Sequence, residues 1–556
     1  MNKKKLLPSL IVLISFLVLI RPYFQSGVPY THDGMNHLAR FANYKIAVRE
    51  GQLPPRWAPN LLNRFGYPVF NFNYPLANIL SLPFSVLGVE YELTFKLLMT
   101  GFVLLGAVGL GKWLKLHNYN SNWGRALAIS SFFLSPFVVN LIYARGNIGE
   151  MMAIALLIWL FFILDEIKLN KLDWRQWKTK LLPVIFLTTF FLSHNITVLF
   201  GSFILTLYVL LKKFNLKQWL LTLKIFCLSF GLSLWFWLPA LLEKKYTVLD
   251  NAELSFEYLK HFPTLNQLLS APLQFGFSYT TPVDSLSLAV GLPTLFLLII
   301  IWPLLIARVI KKKSIKKFKL IIVGLFWLVF VCQLPFTARL WQTTPLANYI
   351  QFPWRLSLFL TIFAAMLIGV VANLKITLVN LLLGAVMLIQ LISVKNFKPA
   401  DFINQTNLEY DLFPGSSSTL AENRTKAFVF EYFEVSNWQP KPTIIKGQGY
   451  LTISKWNGSK RSYFVKAETE ITIVEATMNF PGWTTWANGQ KLRYIDSQDI
   501  GGRIAYKLSP GEYEVKTKFT QRTWSRMIGN GISLLTLIIL IKILINPKHE
   551  KKNHYL

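Results

Sequence analysis

An acid, a histidine and an arginine stand at i, i+4 and i+7 in Asp33-Gly-Met-Asn-His37-Leu-Ala-Arg40. On an α-helix this spacing puts Asp33, His37 and Arg40 on one face. A carboxylate so placed can act as general base toward a hydroxyl. An arginine beside it suits a phosphate leaving group, because its fork binds phosphate bidentately. The stretch reads as an amphipathic helix from Asp33 to Gly51, with Thr31 or Asp33 as the cap and Gly51 with Pro54-Pro55 as the stop. Asp33 as a plain N-cap and Arg40 as a snorkelling interface residue would give the same spacing.

More polar residues recur in short segments between apolar runs. Pro54-Pro55 fixes the backbone before Arg56 and Trp57, which could bind phosphate and stack on a sugar, or simply anchor an interface. Arg145 and Glu150 flank the turn Ala144-Arg-Gly-Asn-Ile-Gly-Glu150, and His194 and Asn195 occupy the next turn on that side. Glu243 ends the run Trp235–Glu243, and Arg339 and Arg355 belong to a further pair of segments. Ionisable groups near a membrane are costly and so are functional candidates. Singly, each also fits a helix end exposed to water. Together they can converge only around a shared cavity. The aromatic run Phe65–Leu76 could wall a groove there.

The elements that would position these groups are membrane helices. Of 556 residues, 53% are hydrophobic and only 15% charged, and the net charge is +31. The basic residues fall in short loops between apolar runs, which is the positive-inside pattern and not a nucleic-acid surface. Lys3–Lys5 place the N-terminus in the cytoplasm, and Leu6–Ile20 crosses outward with no cleavage site after it. Further runs lie at 94–114, 125–143, 151–167, 181–192, 196–211, 219–242, 287–310, 320–335, 354–372, 376–394 and 527–545. The total is about twelve spans of bilayer length. Clusters such as Lys168 to Lys180 (with Arg175), Lys311–Lys319, Lys375 and the tail with Lys548, Lys551 and Lys552 then all fall inside. Topology and anionic headgroups account for them. Residues 21–93 form a first external loop whose apolar piece 76–88 lies in the interface, and 243–285 form a second.

Residues 395–526 are polar and external, between the last two spans. Alternating runs at Ile471, Lys491, Arg503 and Glu512 are separated by Pro481-Gly482, Asn488-Gly489, Gly501-Gly502 and Pro510-Gly511, the pattern of a small β-sandwich. The division is thus a helical membrane module at 1–394, a β-rich domain at 395–526, and a final span with a basic cytoplasmic tail at 527–556. Cys227 and Cys332 both lie inside spans, so no disulfide framework is expected. No phosphate-binding loop, dinucleotide fingerprint or zinc spacing occurs.

These residues carry a likeness. An acid just past the first span, followed by interfacial helices, resembles the GT-C superfamily of membrane glycosyltransferases. The chain is more closely similar to bacterial membrane proteins labelled 6-pyruvoyl-tetrahydropterin synthase-related and to YfhO-like proteins. The matching pieces are His32-Asp33-Gly34 with His37 and Arg40, Leu53–Trp57, Gly66-Tyr-Pro, Tyr74-Pro-Leu76, Ser193-His-Asn195, Trp237–Ala240 with Glu243, Phe352–Arg355, and Pro481-Gly-Trp483 with Asn488-Gly489 and Pro510–Glu512. The histidine cluster of the soluble pterin enzyme is missing. The resemblance implies sugar transfer outside the cytoplasm from a polyprenyl-phosphate sugar to a cell-surface polymer or glycolipid. Asp33 would be the base, and Arg56, Arg145 and Arg355 would hold the donor phosphate. His194 and Glu243 would shape the sugar or acceptor site. Some GT-C members carry an acid pair where this chain has His32-Asp33, which leaves dependence on a divalent metal such as Mg or Mn open.

Two other functions fit a polytopic chain. A flippase or transporter would show mid-membrane charge and broken paired helices, whereas here the polar groups gather at one face. A non-enzymatic polysaccharide-binding envelope protein could use Trp483 and Trp486 of the sandwich, but would not need about twelve spans.

Overall fold

The computed structural model describes residues 3–172, 177–250, 256–278, 284–311, 316–344, 347–374, 376–418, 421–429, 441–495 and 500–545. Arg175, Lys312, Lys313, Lys375 and the tail lysines lie outside these residues.

Every apolar run expected to cross a membrane is helical. Among the described residues, nine helices are long and apolar enough to span, and a tenth arises if Lys317–Val331 and Pro335–Gln342, bent by 88°, count as one. The two other expected spans, Thr179–Phe191 and Asn195–Leu211, are apolar but shorter. The piece expected at the interface is the helix Leu76–Val86, also below spanning length. One span begins later than expected: residues 287–291 are not helical, and the helix starts at Leu292, after Gly291 at φ +85° and just before Pro293.

Burial sorts the spans into layers. Asn122–Arg145 and Pro353–Ala372 are each 94% buried and Ile148–Lys168 is 89% buried, whereas Trp524–Ile545 is 17% and Leu292–Ile310 22% buried. The first three form the centre of the bundle. The outer two expose Leu534, Leu535, Ile538, Ile299 and Ile306. Helices this apolar on their open sides require lipid around them.

The β-rich part is two antiparallel sheets. One runs Gly449–Trp456, Lys460–Ala467, Gly511–Phe519, Trp483–Ala487, Gln490–Lys491 in space, and the other Thr443–Lys446, Ile471–Met478, Arg503–Leu508. Lys460–Ala467 alternates buried and exposed residues along most of its length, as a strand with one covered face must. The sandwich core is continuous with residues of the first long loop: Trp57, Leu61, Phe65, Tyr67 and Phe70 pack in one cluster with Tyr463, Ile473, Tyr506 and Val515. Residues 397–418 instead strap the membrane module. Val28 and Pro29 pair with Ile403 and Phe402, and Tyr410 donates to Glu92 at 2.7 Å. The sandwich therefore sits on the end of the bundle that carries the first loop. Lys115, Lys168 and Lys212 lie at the other end.

Candidate functional site

The site begins at a break in a central helix. After Pro136–Asn140 the chain makes one π-helical turn, Leu141–Arg145, then Gly146 at φ +62°. Such turns are frequent at functional sites. A Cβ at Gly146 would lie 2.1 Å from Thr31 Oγ1, so only glycine lets the first loop dock here. His32 N donates to Ala144 O at 3.0 Å and Asp33 N to Arg145 O at 2.8 Å. The helix that follows spans Gly34–Arg49. Its cap is Thr31, whose Oγ1 accepts from Gly34 N at 3.1 Å, while the Asp33 side chain makes no capping bond. The Asp33 carboxylate is thereby left for other use.

That carboxylate is aimed by Asn147. Asn147 Nδ2 donates to Asp33 Oδ2 at 3.1 Å. The amide cannot flip without loss, because its Oδ1 accepts from Glu150 N at 3.0 Å and from Tyr74 OH at 3.2 Å. Tyr74 OH also lies 3.5 Å from His37 Nε2. Its ring meets His194 edge-on at 5.0 Å, and the missing side chain of Gly149 makes room for it. His194 caps Asn195–Leu211, accepting from Thr197 N through Nδ1 at 3.3 Å. Nδ1 being an acceptor, the proton sits on Nε2.

Two guanidinium groups complete the cluster. Arg145 is paired with Glu150 and lies over the Trp354 ring at 5.0 Å. Arg355 Nη1 donates to Gln351 Oε1 at 2.8 Å, and Arg355 is within electrostatic range of Asp33, Glu150 and Arg145. Arg355 has no ion-pair partner among the described residues, so it brings a full charge. The second long loop closes the site from above, with His32 Nε2 at 2.9 Å from Gly276 O and its ring stacked on Phe277 at 4.5 Å.

Electrostatics keep the imidazoles neutral. Burial pushes His194 down to about 3; Glu150 opposes this, while Arg355 and Arg145 add to it. Burial also holds His37 well below the usual histidine range, with Arg40 and His194 adding, and lowers His32. Near pH 7 these rings are donors and acceptors, not cations. Four buried atoms around them have no partner among the described residues: Arg145 Nη1, Glu150 Oε1, Arg355 Nε and Asn195 Oδ1. Unsatisfied buried polar atoms are rare in native proteins and point to a bound group.

Comparison with known proteins places the chain. The family model for the 6-pyruvoyl-tetrahydropterin synthase related domain, a membrane protein, matches residues 72–400, more than half of the length. The chain belongs to this family. Arg145, Glu150, His194, Asn195, Glu243, Arg339 and Arg355 fall within the match, and Asp33, His37, Arg40, Arg56 and Trp57 precede it. A curated relative, an uncharacterized protein of Lactococcus lactis subsp. cremoris (strain MG1363), is 25% identical over 255 residues, covering 43% of this chain and 40% of its own. Among solved structures, the arabinofuranosyltransferase AftD from Mycobacteria matches with TM-score 0.40 and 14% identity over 70% of this chain and 27% of its own, as the R1389S mutant. A second AftD structure matches with TM-score 0.37 and 16% identity, over 70% and 26%. The chain thus spans well under half the length of the relatives it matches.

In this pterin-synthase-related membrane protein the remaining candidates make no hydrogen bond to the Asp33 carboxylate among the described residues. Arg56, Trp57 and Glu243 form a joint under the sandwich. Trp57 is fully buried against Phe480, Trp483 and Phe519 and offers no face to a sugar. Glu243 pairs with Arg526 at 2.7 Å and accepts from Asn71 at 3.0 Å, Thr523 and Ser525. Arg56 donates to Trp235 O and to Asn530 Oδ1, and burial first, then Arg526, lowers it to about 9. Arg40 reaches away from Asp33 to Ser417 and Asn73, and Asn195 Nδ2 donates to Phe72 O at 2.9 Å. Arg339 is exposed on Ala338–Gln342. Trp483 is core, 6% exposed. Among the described residues no three His, Cys, Asp or Glu side chains gather into a group that could hold a metal ion by themselves.

Asn147, Tyr74 and Trp354 belong to the cluster although their types alone do not announce it. Asn147 carries a local signal: it stands three residues before Glu150, the N-cap spacing.

Proposed function

We propose that the chain is an integral membrane glycosyltransferase of GT-C type. It moves a sugar from a polyprenyl-phosphate-linked donor to a cell-envelope acceptor, a surface polymer or glycolipid, on the extracytoplasmic side. The observation that carries this is a carboxylate, Asp33, oriented by Asn147 and set beside two arginines whose guanidinium groups keep unpartnered N–H donors. The lysine-rich ends of the helices, opposite the sandwich, support cytoplasmic termini and an external site.

In the reaction the acceptor oxygen attacks the anomeric carbon and its proton passes to Asp33. The bond from that carbon to the phosphate oxygen breaks, and polyprenyl phosphate leaves. Arg355 and the free side of Arg145 offset its charge, which counts for more where water is excluded. A lipid-linked donor keeps its phosphate at the membrane boundary, and Trp354 and the Phe275–Phe277 segment cover the site from bulk water, which would otherwise hydrolyse the donor. Neutral His37 and His194 are suited to sugar hydroxyls. The mechanism needs no further cofactor to balance.

The test is transfer from a panel of radiolabelled polyprenyl-phosphate sugars in proteoliposomes, with wild type against Asp33→Asn. Label moving to an acceptor or to water with wild type alone supports the proposal. Equal inertness of both, with the lipid donor still bound, removes the catalytic role.

A further inference from the structure

Beside Arg145, away from Asp33, lies a small pocket walled by Phe137, Leu286, Leu288 and Trp354, with Asn140 and Ser287 opening onto it. It has room for one water-sized group. Asn140, Arg145 and Ser287 are each at most 5% exposed, and each leaves one polar atom unpartnered among the described residues: Oδ1, Nη1 and Oγ. Three orphaned atoms on one small pocket are a built polar site, costly if left empty.

The chemistry of the three atoms narrows the occupant. Asn140 Nδ2 is spent on Ser287 O at 2.5 Å, so its free atom is the carbonyl oxygen, an acceptor. Arg145 Nη1 is a donor only. Ser287 Oγ can do either. A phosphate or carboxylate oxygen would satisfy the arginine and face the Asn140 oxygen without a proton between them. A group that donates and accepts at one atom satisfies all three, as a water molecule or a hydroxyl does, and in a substrate that group is a hydroxyl. We propose that this pocket is a subsite for a single carbohydrate hydroxyl, that Arg145 Nη1, which carries two N–H groups, turns one to it and the other to the donor phosphate, and that the pocket selects among sugars. The proposal rests on the glycosyltransferase reading and specifies which part of its substrate enters here. The hydroxyl can come from the donor sugar or from the acceptor glycan.

Ser287→Ala isolates the effect, because Ser287 Oγ has no hydrogen-bond partner among the described residues, so its removal breaks no bond there. Asn140→Leu removes the acceptor, with Ser287→Ala as the variant that stays informative should Asn140→Leu fold poorly. Binding, not turnover, is measured on the full chain in nanodiscs. The probes are a radiolabelled polyprenyl-phosphoryl hexose, its monodeoxy and deoxyfluoro analogues, sugar-free polyprenyl phosphate, and free oligosaccharides. Ser287→Ala is expected to weaken the glycosylated lipid about three- to tenfold, the range for one neutral hydrogen bond, and to leave sugar-free polyprenyl phosphate unchanged. One deoxy analogue should bind wild type as weakly as the parent binds Ser287→Ala. If instead the variants alter the free oligosaccharides and not the lipid, the hydroxyl belongs to the acceptor. Equal binding by wild type and Ser287→Ala across every probe means the pocket holds only water, and the proposal is wrong. Should wild type bind neither lipid, the donor reading fails by itself, and the subsite then survives only if oligosaccharide binding responds to Ser287→Ala.

Discussion

Asp33 and Asp165 stand near opposite ends of the same bundle, separated by Ile148–Lys168 and so by about 25 Å of helix at 1.5 Å per residue. Each carboxylate has a histidine, a tyrosine and a cation close by. Their hydrogen bonding differs. Asp165 is fully buried and accepts from Trp113 Nε1 at 2.8 Å, His117 Nε2 at 2.7 Å, Tyr208 OH at 2.8 Å and Lys212 Nζ at 2.7 Å. No polar side-chain atom of that group is left unpartnered among the described residues. Asp33 is half-buried, holds one side-chain donor among the described residues, and is within electrostatic range of two arginines with spare N–H groups. A saturated network fixes helices relative to one another, whereas an unsaturated one is held ready for a ligand. The proposed chemistry therefore belongs at the sandwich end, with Asp165 as a clamp at the lysine-rich end.

Breaking both carboxylates tests this contrast directly. Asp33→Asn should lower sugar transfer by about a hundred- to ten-thousandfold, the usual worth of a general base, with the unfolding midpoint in detergent unmoved. Asp165→Asn should do the reverse. It leaves Lys212 buried and uncompensated, at a cost of about 3–5 kcal/mol of stability, read as a lower unfolding midpoint, while transfer per folded molecule is retained. A large loss of turnover in folded Asp165→Asn would mean that the two ends are coupled.

The histidines sharpen the comparison through pH. The folded-state value of His194 is depressed to about 3, so the unfolded chain takes up its proton first as the pH falls below the ordinary histidine value. Stability is complete above about pH 6.5 and declines below it until about pH 3. By pH 5 the decline amounts to about 2 kcal/mol for this one residue. His194→Asn, which keeps an N-cap acceptor, should flatten the acid limb of a stability–pH curve. An unchanged limb would show that His194 is protonated in the folded protein.

The bundle was legible because a helix of sufficient apolar length has few alternatives in a bilayer. The later strands were legible from alternation between turn pairs. Thr443–Lys446, Gly449–Trp456 and Lys460–Ala467 were less so: the first is only four residues long, an irregularity between Ile453 and Lys455 breaks the second, and the third buries Arg461 while exposing Phe464. Short turns also revealed that Arg145, Glu150, His194 and Arg355 share a face with Asp33, because such turns leave side chains nowhere else to go. Partnerships across hundreds of residues left no local trace. Nothing near Glu243 names Arg526, and nothing near Trp57 says that a sandwich will bury it. Asp165 had a trace: Trp113 with His117, and Tyr208 with Lys212, are i, i+4 pairs, and a buried acid near the end of an apolar run needs such partners.

A smaller effect separates aiming from binding. Asn147→Ala removes the donor that orients Asp33 and should cost about tenfold in turnover, the worth of one charge-assisted hydrogen bond. KM for the lipid donor should stay put, because Asn147 touches neither arginine's free side. A role confined to capping Ile148–Lys168 would instead lower stability and spare the turnover of folded protein. Asn147→Asp, which keeps the cap acceptor while losing the amide donor, distinguishes the two.

The smallest effect belongs to Arg339, which sequence position groups with Arg355 but which the fold leaves exposed on Ala338–Gln342. Its side chain is exposed and has no hydrogen-bond or ion-pair partner among the described residues, so deleting it strips none of them of a bond and leaves no charge buried. Arg339→Ala should therefore change stability and transfer by less than about 0.5 kcal/mol. Arg355→Ala, with its charge in range of Asp33 and Glu150, should depress transfer far more. Comparable losses from both substitutions would mean that the segment carrying Arg339 folds over the site when the lipid donor binds, and that the Asp33 cluster is only part of the working site.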